Sequence, residues 1–196
     1  MQEDKHPLLD LDELLAAEFS YIAQTATQAN EDRARVSSFY LIAVGSLVAA
    51  LFGTQFIESG SFNLTINIMF SGLFLLLTML GVSTIMQLAR LRAAWHESML
   101  AMNQLKDFMV SQNSNLKNAF RWTTKTLPSK YKVSSVSYYQ AVEVALIGGL
   151  MFGAGIFFLL QAMIPAGTTG IQHWIISILA GIAMVFIQLQ IYKRSL

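Results

Sequence analysis

The chain has 196 residues, of which 54% are hydrophobic and 13% charged, against roughly 25% charged in soluble domains. It contains no cysteine, which excludes disulfides, thiolate catalysis and cysteine-based metal centres. A net charge of +1 with few basic residues argues against nucleic acid as a partner.

Met1–Asp12 carries Glu3, Asp4, Asp10 and Asp12, where a secretory leader needs a basic stretch followed by an apolar run. The first spanning segment is therefore expected to act as the insertion signal. From Leu8 to Arg35 there is no glycine or proline, and Leu, Ala, Glu and Gln dominate, all good helix formers. Leu8, Leu11, Leu15, Ile22, Ala26 and Ala29 recur at helical spacing. Residues 1–35 thus read as an amphipathic N-terminal helix.

Val36 to Ala89 contains a single charged residue, Glu58. The sequence on either side is long enough to cross a bilayer, because ~20 apolar residues span its ~30 Å core. The stretch reads as a transmembrane hairpin with spans at 36–56 and 66–89, folded at Glu58-Ser59-Gly60-Ser61. Gly45, Ala49 and Gly53 stand at four-residue intervals, a spacing that lets another helix backbone approach closely in lipid. Beyond the membrane the helix is expected to continue to about Val110, with Leu88, Leu91, Trp95, Ser98, Met102, Leu105 and Met109 as a heptad-like seam. Leu11, Leu15 and Ile22 of the first arm and Leu91, Trp95, Met102 and Leu105 of the second are then the contacts of a two-helix stalk.

Residues 90–137 combine this helix with a basic connector. Between turn clusters at Ser111–Asn115 and Leu127-Pro128-Ser129, a short helix would align Lys117, Arg121 and Lys125 on one stripe beside Trp122. Lys117, Arg121, Lys125, Lys130 and Lys132 are candidates for contact with lipid headgroups, the alternative being a solvated connector packed on the stalk. Residues 138–196 read as a second hairpin with spans at about 142–164 and 174–192, divided at Pro165–Gly170. Gly149 and Gly153 form one small-residue pair and Ser177 and Gly181 another, suited either to dimerisation or to packing within the bundle.

Lys and Arg are absent from the turns Glu58–Leu64 and Pro165–His173 and occur on the opposite side of all four spans. The positive-inside rule then places both termini in the cytoplasm of a multi-pass protein of the plasma (inner) membrane. Met1–Arg35 has eight acidic and three basic residues, whereas Leu88–Ser137 has two acidic and eight basic, so the two arms are expected to attract each other.

Glu143 is the one acid within a span. It is an ion-pathway candidate by default, but it also lies near the start of its helix, where a carboxylate is favoured by the helix dipole. His6, His96 and His173 form no ligand spacing, and no phosphate loop or nucleophile motif is present. No metal or cofactor is expected. The fold class expected is an all-α integral membrane protein of four transmembrane helices. Its expected role is non-enzymatic: a self-associating scaffold or membrane-complex subunit with membrane lipids around it. A channel, transporter or permeabilising effector is the second reading, and an intramembrane lipid enzyme the third.

Overall fold

The computed structural model describes residues 11–53, 64–163 and 170–196. Among them there is no strand. Four α-helices, α1 (Leu11–Gly53), α2 (Leu64–Gln112), α3 (Val136–Met163) and α4 (Ile171–Arg194), are joined in part by two 3₁₀ turns, Ser114–Asn118 and Thr124–Thr126. The expected turn at Glu58, and the break at Pro165–Thr169, lie outside the described residues.

All four helices are long and apolar enough to cross a membrane. At 43 and 49 residues, α1 and α2 extend over roughly 65 and 74 Å, about twice the hydrocarbon thickness, whereas α3 and α4 are near ~42 and ~36 Å. The ends are charged as the helix dipole favours: Asp12 and Glu13 stand in the first turn of α1, and Lys193 and Arg194 in the last turn of α4.

The chain divides into two compact units, and the division cuts α1 between Asp32 and Arg33 and α2 between Arg90 and Leu91. Unit 1 holds the polar ends of α1 and α2 and the connector to Lys130. Ile22, Ala26 and Ala29 are buried there, at the three- and four-residue intervals of one helix face. Thr25 donates to the Ile22 carbonyl at 2.8 Å and its Oγ1 lies 3.3 Å from Ser98 Oγ. Lys106 Nζ lies 6.0 Å from the centroid of the Phe19 ring.

Unit 2 holds the apolar parts of α1 and α2 together with α3 and α4. Its core is Tyr40, Val44, Leu77, Ile85, Leu88, Ala89, Ala141, Val144, Ala145, Met151 and Tyr192. Phe70 and Phe74 of α2 pack on Phe158 of α3, with centroids 5.1 and 5.7 Å apart. At one end of the unit, Ser137 and Tyr192 share a buried hydrogen bond of 2.9 Å. Close by, Arg33 Nε donates to Gln140 Oε1 at 2.9 Å, and Lys193 lies 5.5 Å from the Tyr131 ring centroid.

Candidate functional site

In unit 2 the backbones of α3 and α4 approach each other closely. A Cβ on Gly149 would stand 2.7 Å from the Gly181 carbonyl oxygen, and one on Gly153 would stand 2.8 Å from that of Ser177. The two small-residue pairs singled out in the sequence therefore face each other within one chain. Contacts from Ser137–Tyr192 to Phe157–Trp174 (centroids 4.5 Å apart) run in opposite order along the two helices. Leu146, Leu150, Phe157, Trp174, Ile178 and Val185 help to line an apolar groove of about 490 Å³ beside this seam.

Around that seam, side-chain polarity is inverted relative to a soluble protein. Asn67, Ser71, Thr78, Thr84, Ser137, His173, Ser177 and Gln188 are buried, whereas Ile42, Met79, Leu150 and Phe186 are each at least 65% exposed. Several of the buried hydroxyls turn back onto their own helix: Thr78 Oγ1 donates to Phe74 O at 2.9 Å and Thr84 Oγ1 to Leu80 O at 3.0 Å. Such back-bonding satisfies a hydroxyl without water. Asn67 and Gln188, which are not among the sequence candidates, both point inward. Their helical phase, shared with Ser71 and Thr78 on α2 and with Ser177 and Gly181 on α4, was the available signal.

In unit 1 the connector is fastened along a polar stripe of α2. The Arg92 Nε donates to Lys130 O at 3.3 Å, His96 Nε2 to Pro128 O at 3.1 Å, and Asn103 Nδ2 to Thr123 O at 3.1 Å. Thr124 hydrogen-bonds Asp107, and Lys130 pairs with Glu97 at 3.4 Å. Arg92, His96, Asn103 and Asp107 are spaced by four, seven and four residues and so share one face. Arg92 also lies over the Trp95 ring at 4.4 Å. Burial holds the His96 imidazole below its ordinary pKa; the Pro128 hydrogen bond opposes this, Lys130 and Arg92 add to it, and Glu97 opposes it.

The connector departs from the expected short helix. Lys117 lies in the first 3₁₀ turn and Lys125 in the second, with Arg121 in a bend between them, so the three do not form a helical stripe. Two local features oppose a helix. Asn113 caps Asn115 N through its side chain, and the Thr126 hydroxyl accepts from the Thr123 N–H and donates to the Thr123 carbonyl; Ser, Thr and Asn compete with helical bonding in this way. Lys117, Arg121, Lys125 and Lys132 are exposed, Lys130 is half-buried, and Trp122 is 67% exposed.

The remaining sequence candidates divide sharply. Of the stalk residues, Ile22 is buried, Leu15, Leu91, Trp95, Met102 and Leu105 are half-buried, and Leu11 is exposed. A Cβ on Gly45 would meet nothing within 4 Å, and Ala49 is exposed, so these two form no packing seam among the described residues. Gly53 ends α1, and its surroundings lie outside the described residues. Glu143 is exposed, on the side of α3 opposite the buried Ala141, Val144, Ala145 and Gly148. It does not point into the polar interior. Among the described residues no three His, Cys, Asp or Glu side chains are grouped as metal ligands. The polar interior of unit 2 consists mainly of hydroxyls and amides suited to hydrogen bonding, with the Arg33 guanidinium buried beside Gln140. Comparison with protein-family models, with curated proteins and with solved structures gives no match.

Proposed function

We propose that this chain is a non-enzymatic polytopic membrane protein, a scaffold or complex subunit whose contact surface is a helical stalk. The observation that carries the reading is the inverted polarity of unit 2, with polar side chains buried and large apolar ones outside. Exposed contiguous apolar surface is unfavourable in water, and lipid is the solvent in which this distribution is stable. In the proposed arrangement α1 with α2 and α3 with α4 form two transmembrane hairpins, and both termini are cytoplasmic, an orientation that the distribution of Lys and Arg supports. The surplus length of α1 and α2 forms the stalk.

Within unit 1, Asn103 is bonded to Thr123 and Arg92 to the Lys130 carbonyl, so Arg121, Trp122 and Lys125 stand beside the Asn103 end of the polar stripe, eleven residues (92 to 103), or roughly 16 Å, along the helix from Arg92. The exposed Trp122 beside Arg121 then suits an acidic protein surface, with Trp and Arg as typical interface anchors. Crosslinking in native membranes followed by mass measurement of the extracted complex tests the proposal. It predicts an assembly that loses its partner on Trp122→Ala; a strictly monomeric species in both proteins contradicts it.

One observation favours the second reading, a channel or transporter. The buried polar side chains recur along unit 2 from Asn67 and His173 to Ser137. In that case passage runs through the bundle interior and leaves Glu143 outside it, so conductance in planar bilayers would persist in Glu143→Gln.

A further inference from the structure

Three polar side chains in the interior of unit 2, Tyr40, Ser177 and Gln188, have hydrogen-bonding capacity that the described residues leave unused, and two of them are fully buried. Tyr40 of α1 and Gln188 of α4 are both 0% exposed. The Tyr40 hydroxyl and both amide atoms of Gln188 have no hydrogen-bond partner among the described residues. Leaving such groups unpaired is costly in any interior and more so where the surroundings are lipid.

Each of these groups faces a glycine on one of the two intervening helices. The Tyr40 hydroxyl sits against Gly81 of α2, 2.7 Å from where a Cβ would stand. The Gln188 amide sits against Gly148 of α3, with Nε2 and Oε1 at 2.5 and 2.7 Å from the corresponding position. Thr78 lies one turn before Gly81 on the same face of α2, and its Oγ1 is 3.4 Å from the Gly148 carbonyl oxygen. Tyr40, Thr78 and Gln188 thus meet a single layer of the bundle, at two places where glycine leaves room for a polar end.

The chemistry of this layer defines what it can hold. Tyr40, Thr78 and Gln188 are all neutral, so a bound ion would find no counter-charge among them. The hydroxyl can donate or accept, and the amide does both. A ligand must therefore be small, uncharged, and able to donate and accept at once; water meets these conditions and requires two to four polar partners. We propose that Tyr40 and Gln188 are the two ends of an internal water-binding site in the middle of the four-helix bundle. This site is independent of the stalk and of the scaffold reading.

Water-selective magnetisation transfer, measured by NMR on the full chain in nanodiscs with glutamine side chains labelled, tests this directly. The Gln188 amide is identified by its disappearance in Gln188→Met. Transfer from water to that amide is expected in the wild type, with severalfold loss in Tyr40→Phe at a retained helical spectrum. No transfer in the wild type overturns the proposal, and this arm needs no variant to fold. Undiminished transfer in a folded Tyr40→Phe overturns the shared site.

Discussion

Gly149 and Gly181 face each other across α3 and α4 so closely that a methyl group on either would press on the other's carbonyl oxygen, at 2.7 Å from Gly149 and 2.8 Å from Gly181. The obstacle in both directions is backbone, which cannot swing aside as a side chain tip can. Gly181→Ala is therefore expected to destabilise by about 1–3 kcal/mol, as overpacking does. Gly45→Ala, where nothing lies within 4 Å, is expected to be neutral or to stabilise by up to about 1 kcal/mol through helix propensity. Thermal unfolding of both variants in the same detergent checks the contrast, which fails if the two midpoints move together.

The Ser137–Tyr192 hydrogen bond closes one end of unit 2 between two residues that are each at most 1% exposed. Tyr192→Phe leaves the Ser137 hydroxyl with one partner fewer in a dry site. A loss of about 1–3 kcal/mol is expected, with a smaller loss when Ser137→Ala accompanies it. A double-mutant cycle in denaturation measures this coupling, and simple additivity would show that the pair does not act as a unit.

His96 makes the connector sensitive to acid. Its Nε2–H donates to Pro128 O, while Nδ1 is buried without a partner among the described residues. The ring is thus held neutral, with its pKa below the ordinary 6.5, chiefly by burial. The unfolded form takes up a proton first. The contribution of His96 is therefore complete above about pH 6.5 and is lost as pH falls through the lowered folded value. Hydrogen exchange of residues 123–130 should accelerate over that interval in the wild type. In His96→Gln the same pH dependence should be absent.

Asn103 is buried at 5% exposure and holds the connector by the Thr123 carbonyl. In Asn103→Ala that carbonyl keeps its bonds from Thr126 but loses the one that ties it to α2, at about 1 kcal/mol for a neutral hydrogen bond. Local opening should then become roughly fivefold more frequent. Tryptic cleavage at Arg121 and Lys125, measured under native conditions, should rise by that factor while the helical spectrum stays unchanged.

Much of the helical layout was legible because it depends on local composition. The apolar runs, the turns free of Lys and Arg and the absence of proline between Leu64 and Gln112 mark the helices. Which face of each helix finds a partner was less legible. Gly45 with Ala49 and Gly149 with Gly153 have the same spacing, yet only the second pair forms a packing seam among the described residues, since spacing permits a close approach without specifying the neighbour. The orientation of Glu143 was available in principle, because helical phase sets it opposite Gly148. The connector was hidden for a different reason: its fastening uses the backbone carbonyls of Thr123, Pro128 and Lys130, which carry no residue-type signal. Only the receiving stripe, Arg92, His96, Asn103 and Asp107, left a trace in the sequence.

The central claim is that lipid is the solvent of unit 2. Because the chain has no cysteine, single cysteines at Ile42, Met79, Leu150 and Phe186 can be spin-labelled without background. In reconstituted bilayers, relaxation by oxygen, which concentrates in hydrocarbon, should be strong at all four, and relaxation by a water-soluble nickel chelate weak. Strong nickel collisions at these four positions would place them in water and contradict the account.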